Sequence, residues 1–193
     1  MLKSNINFID YILSYGNLNQ QQIELVLKKA KEIQLKKDDY FWEAGKSINQ
    51  VGFVTEGVLR VYYYNNNSDE ITRYFITENL LILYGFDTNS NYIPSEYLQA
   101  IEDTKLVVFS KKDWKELSDT ILDWERIIQK INAKQHREKL ERRSPLIDQD
   151  ASTRYLEFME NFPSLVNRIP LSYIASYLGI TQSSLSRIRK SIK

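Results

Sequence analysis

From Lys31 to Phe109 the chain reads as short strands, and from Lys111 onward no strand signal returns. That break constrains the fold more than any other feature, because it segregates a β region from a helical one and points to α+β rather than alternating architecture. Ile33 and Leu35 alternate with Glu32, Gln34 and Lys36. Residues 51–54 and 58–64 are rich in β-branched and aromatic side chains, and residues 71–76, 97–101 and 106–109 continue the series. Gly45, Gly52 and Gly57 punctuate the strands, and Asn65-Asn66-Asn67-Ser68-Asp69 is a turn signal. In the run Tyr62-Tyr63-Tyr64, strand alternation sets Tyr63 opposite its neighbours. Closely spaced short strands of this kind predict an antiparallel β-roll of the double-stranded jelly-roll type.

Helices flank this region. Ile9, Ile12 and Leu13, then Ile23, Val26 and Leu27, recur at helical spacing over residues 8–30, with a break near Gly16-Asn17 and a cap at Asn19. Lys111 opens another helix. Residues 119–143 read as one long helix whose apolar stripe, Ile121, Trp124, Ile128 and Ile131, follows 3-4-3 spacing and fades into a charged stretch containing His136. The stripe is compatible with packing on its own domain or on a twin. Pro145 ends the helix. Asp150-Ala151-Ser152-Thr153 then caps a helix carrying Tyr155, Leu156, Phe158 and Met159, closed by Asn161-Phe162-Pro163. The spans expected are 1–118 for a sensor domain, 119–146 for a long helix and hinge, and 147–193 for a C-terminal helical domain.

Composition removes whole classes of function. There is no cysteine, so disulfides, thiolate metal sites and a cysteine nucleophile are excluded. The single histidine, His136, makes a multi-histidine metal site or a Ser-His-Asp triad improbable; it reads as a solvated or interface residue, and no metal or other cofactor is expected. No catalytic constellation appears, so the chain is not expected to be an enzyme. No stretch reaches the roughly 20 apolar residues of a membrane span, and no signal core precedes the first helix, so a cytoplasmic protein is expected. The net charge of +1 hides an asymmetry: residues 1–160 carry −4, and residues 161–193 carry +5 with no acidic side chain.

The densest run of signals is residues 169–190. Pro170 suits a first helical turn; Leu171, Ile174, Ala175 and Leu178 form one apolar face, with Ala175 small enough for a close helix crossing. Gly179 stands where a left-handed terminator is needed, and Thr181 is a good N-cap for a second helix held by Leu185 and Ile188. The opposite face of that helix is polar and basic: Gln182, Ser183, Ser186, Arg187, Arg189 and Lys190, with Thr181 and Ser184 as further DNA-binding candidates. This is a helix-turn-helix suited to DNA. Arg187 can donate two hydrogen bonds to a guanine edge and Gln182 can pair with adenine. The serines are short donors, and Arg189 and Lys190 are placed for phosphates.

Residues 154–190, with the roll and long helix before them, resemble the Crp/Fnr-type bacterial transcription regulators. The resemblance covers essentially the whole chain. It implies a long dimerisation helix, with Ile121, Trp124, Ile128 and Ile131 as candidate dimer contacts, and base-reading positions at Gln182, Ser183 and Arg187. Because the sequence stops just after the second helix, little or no wing is expected. The partners implied are double-stranded DNA, a second copy of the chain and RNA polymerase, with no membrane. The effector region departs from the cyclic-AMP-binding pattern. Ser95 is kept, but the phosphate arginine falls on Pro94 with Glu96 beside it, and the ribose acid falls on Tyr84 or Gly85. Cyclic AMP is therefore not the expected ligand. A rearranged pocket would draw on Arg60, Arg73, Tyr74, Tyr84, Gly85, Phe86, Ser95 and Tyr97. The leading expectation is a homodimeric, sequence-specific regulator. The alternative is a small-molecule or cyclic-nucleotide sensor acting mainly through protein partners.

Overall fold

A computed structural model describes residues 3–83, 92–141 and 149–192. The chain divides into two compact units, Met1–Val61 with Phe75–Lys134, and Tyr62–Tyr74 with Gln135–Lys193. The three consecutive stretches expected from sequence do not coincide with these units, because the tip of one hairpin belongs with the C-terminal helices.

The first unit opens with α1 (Lys3–Leu13) and α2 (Gln20–Lys29). Asn19 caps α2 through a reciprocal box: its side chain accepts from the Gln22 backbone N–H at 2.9 Å and the Gln22 side chain accepts from the Asn19 N–H at 2.9 Å. The strands are β1 (Lys31–Leu35), β2 (Tyr40–Trp42), β3 (Gln50–Glu56), β4 (Leu59–Tyr64), β5 (Glu70–Ile76), β6 (Leu81–Ile82), β7 (Tyr97–Ala100) and β8 (Thr104–Ser110). They form two four-stranded sheets, β1-β8-β3-β6 and β2-β7-β4-β5. β8 pairs antiparallel with both β1 and β3, setting Ile33 opposite Leu106 and Phe53 opposite Val107. Six strands stand where the sequence predicts them, β1 from alternation and the others from their β-branched and aromatic runs. Two further strands, β2 and β6, are too short to display a period of two.

Gly52 sits where β3 passes the Phe41 ring; a Cβ there would lie 2.7 Å from that ring, so glycine permits the close approach. The core of this unit joins α1, β3 and β8 to α3 (Lys111–Thr120) and α4 (Trp124–Glu141). Its aromatic rings touch edge-on: Phe8 lies 5.3 Å from Phe53, and Trp114 lies 5.2 Å from Trp124.

The helix expected from residue 119 in fact starts at Trp124. Ile121 leaves the helical region at φ −101°, ψ 106° and ends α3, while the Trp124 N–H donates to the Ile121 carbonyl at 2.9 Å. Ile121, Trp124, Ile128 and Ile131 are all buried in the core of their own unit, together with Ile127. In the single chain they are covered by their own unit, one of the two packings the stripe allows. α4 is further tied to the end of α1, where the Lys130 ammonium donates to the Tyr15 carbonyl at 3.1 Å and Lys134 lies over the Tyr15 ring.

In the second unit, α5 (Ala151–Asn161), α6 (Leu171–Leu178) and α7 (Gln182–Ser191) bury Tyr155, Phe158, Phe162, Leu165, Ile169, Ile174, Ala175, Leu178 and Leu185. Leu156, apolar in sequence, is exposed. No strand occurs among the described residues after β8. The β4–β5 tip turns at Asn65, whose side-chain oxygen accepts from the N–H groups of Asn67 and Asp69, each at 2.9 Å. Tyr62 and Tyr64 contact each other on one strand face at 5.7 Å, as alternation predicts, and Tyr63 takes Arg73 over its ring at 5.0 Å.

Candidate nucleic-acid interface

The helix-turn-helix is assembled by local backbone chemistry. Pro170 occupies the N-cap position of α6, one residue earlier than a first-turn proline, and its carbonyl accepts from Tyr173 at 3.0 Å. Gly179 is left-handed, at φ 66° and ψ 33°. This geometry lets the Ile180 N–H return to the Ala175 carbonyl at 3.0 Å and the Gly179 N–H to the Ser176 carbonyl at 3.2 Å, satisfying the last carbonyls of α6. Thr181 then caps α7, its hydroxyl accepting from the Ser184 N–H at 3.1 Å. The same oxygen donates to the Ser184 hydroxyl at 2.9 Å and lies 3.0 Å from that of Ser183. Leu185 is fully buried and seats α7, with Ile188 half-buried beside it in sequence.

What α7 leaves outside is its polar and basic set. Thr181, Gln182, Ser183, Arg187 and Lys190 are exposed, and Ser184, Ser186 and Arg189 are half-buried. Ser183, Arg187 and Lys190 follow helical spacing along one line, and Gln182, Ser186 and Arg189 along the adjacent one. No acidic residue lies on either α6 or α7. Arg189 donates to the Asn167 side chain at 3.4 Å, which steadies its guanidinium beside α7. At the entry to α5, Asp150 accepts from the N–H groups of Ser152 and Thr153 at 2.8 and 2.9 Å. These backbone donors hold its carboxyl below the ordinary aspartate value.

One residue of this region escaped sequence reasoning. The Ser176 hydroxyl on α6 accepts from the Thr72 N–H at 2.9 Å and donates to the Glu70 carbonyl at 2.8 Å. It joins two groups that face the same way from β5. The partners lie more than a hundred positions away in sequence, and no local spacing announces such a pair.

The effector candidates divide between the units. In the first unit, Arg60 is buried, its Nε and one terminal nitrogen donating to the Gln99 side-chain oxygen at 3.1 and 2.9 Å. Tyr97 is half-buried against Tyr40, with ring centres 5.8 Å apart, and Ser95 is exposed. In the second unit, Arg73 is exposed and Tyr74 takes the Lys139 ammonium 3.7 Å from its ring centre. Tyr84, Gly85 and Phe86 lie outside the described residues. Pro94 is buried, its carbonyl accepting from the Gly45 N–H at 2.9 Å, and Glu96 is 3% exposed. His136 is exposed on α4. Among the described residues no group of His, Asp and Glu side chains could hold a metal ion, and no helix is long and apolar enough to cross a membrane.

No protein-family model matches the chain, and no curated protein matches it. Solved structures do. FixK2 from Bradyrhizobium japonicum is 18% identical, with 84% of each chain covered and a TM-score of 0.71. The c-di-GMP-responsive global regulator CLP from Xanthomonas campestris is 17% identical, covering 90% of this chain and 91% of its own, with a TM-score of 0.70. A transcriptional regulator of the Crp/Fnr family from Eubacterium rectale is 17% identical, covering 94% of this chain and 87% of its own, with a TM-score of 0.73. With its antiparallel roll, its α4 helix and its C-terminal helix-turn-helix, the chain has the fold of the Crp/Fnr transcription regulators.

Proposed function

We propose that the chain is a homodimeric, sequence-specific DNA-binding transcription regulator of Crp/Fnr type. The observation that carries this reading is α7 itself: seated by Leu185, capped by Thr181, and presenting Gln182, Ser183 and Arg187 to solvent on a face without acid. Such a helix enters the major groove, where Arg187 reads guanine through two donors and Gln182 reads adenine. Arg189 and Lys190 contact phosphates and contribute salt-dependent affinity without specificity. In a symmetric dimer two such helices meet successive major grooves about 34 Å apart on a pseudo-palindromic site. With the apolar stripe committed to the core, a dimer built on α4 uses its outward side, where Gln129, Asn132, His136 and Leu140 are exposed.

Cyclic AMP is not the ligand in this reading. A buried Pro94 supplies neither charge nor N–H donor to a phosphate, and the carboxyl of Glu96 is buried two residues on. Titration calorimetry tests this point, and tight binding of cyclic AMP or cyclic GMP overturns it. Selection of binding sites from random duplex DNA, with and without a metabolite extract, tests the function. Enrichment of a two-fold symmetric site whose binding weakens steeply with salt supports it. Failure to enrich any sequence, with a protein partner co-purifying instead, defeats it.

A further inference from the structure

The β4–β5 tip and the C-terminal helices belong to one compact unit, and the Ser176 side chain joins them. On an edge strand, the N–H of one residue and the carbonyl of the residue two before it face outward together and need partners. At β5 these are the Thr72 N–H and the Glu70 carbonyl. The Ser176 hydroxyl answers both, accepting from the first at 2.9 Å and donating to the second at 2.8 Å. A hydroxyl is suited to this, having one donor and two acceptor positions on one atom. A second tie lies at the other end of the strand, where Lys139 of α4 lies 3.7 Å from the Tyr74 ring centre.

Ser176 stands on α6, the helix on which α7 is seated, while β4 and β5 continue along the chain into the first unit. With the clasp closed, Gln182, Ser183 and Arg187 remain exposed, so the hairpin does not cover the reading face. We propose that the Ser176 hydroxyl is a positioning clasp that fixes α6 and α7 to the β4–β5 hairpin. Through it, the hairpin sets the orientation in which the recognition helix meets DNA. This rests on the DNA-binding reading above and adds to it the element that regulates the site.

The test compares wild type, Ser176→Ala and Ser176→Thr, the last retaining the hydroxyl. Amide hydrogen exchange by NMR reads the clasp without DNA. In Ser176→Ala the Thr72 amide is expected to exchange at least about tenfold faster, while the β5 amides bonded to β4 stay unchanged. Affinity for duplex DNA carrying two half-sites is expected to fall about three- to thirtyfold, with affinity for a single half-site unchanged. Ser176→Thr restores both readings. An unchanged Thr72 amide in Ser176→Ala overturns the clasp. A faster Thr72 amide with unaltered two-half-site affinity overturns its role in orientation. If wild type binds no selected DNA, the DNA reading fails and the orienting role with it, while the exchange data still report the contact.

Discussion

Replacing Ile131 by alanine separates a core residue from a dimer contact. Ile131 is fully buried in the cluster that includes Phe8, Trp114, Trp124 and Ile127. Alanine removes three carbons, worth about 0.8 kcal/mol each on transfer from water, or roughly 2.4 kcal/mol together. The cavity that fails to collapse adds to this at about 24 cal/mol per Å³, bringing the expected loss to about 3–4 kcal/mol. Against a typical domain stability of about 5–15 kcal/mol, such a loss is large but leaves the fold populated. The assay is equilibrium urea unfolding at two protein concentrations a hundredfold apart. Circular dichroism and tryptophan fluorescence both report it, the latter because Trp114 and Trp124 lie in the same core. The difference between variant and wild type should be the same at both concentrations. A loss below about 1 kcal/mol, well under the roughly 2–5 kcal/mol of a buried isoleucine-to-alanine truncation, would refute the core assignment. So would a loss seen only where the chain is dimeric.

Two further outcomes test the local architecture of the C-terminal helices. Gly179→Ala should cost about 1–2 kcal/mol in the same unfolding assay, because alanine is forced to φ 66° while its Cβ meets only the Arg154 guanidinium at 4.0 Å; a neutral substitution contradicts the left-handed turn. Asp150 has a folded-state pKa below its unfolded value of about 3.9. Its contribution is therefore complete above that unfolded value and disappears as pH falls through the depressed folded one. Asp150→Asn keeps the cap and removes the titration, so its stability should fall less than that of wild type on acidification below about pH 4. Parallel acid-unfolding curves would contradict the cap.

The helix-turn-helix was legible because every signal lies within a few residues of the group it satisfies. Gly179 and Thr181 each answer an orphan backbone group nearby, and the apolar spacing of Ile174, Ala175 and Leu178 repeats at one helical turn. The six longer strands were legible for the same local reason. β2 and β6 were not, since three and two residues carry no period. Periodicity also could not say what the stripe from Ile121 to Ile131 packs against. An apolar face is equally suited to its own α1 and β3 or to a twin, and in the single chain it lies in the core with the first. Ser176 marks the far limit of sequence reasoning: a polar side chain in a helix and the edge of a strand share no pattern, only a place in the fold.

If α7 reads bases, specific binding depends on Arg187. Arg187 is exposed on the acid-free face of α7. Arg187→Ala should weaken binding to the selected site by about 1–3 kcal/mol and relax the sequence preference at one base position in each half-site. Binding to random duplex DNA should change much less. Equal losses on selected and random DNA would show that the side chain contacts only phosphates, and would contradict the account.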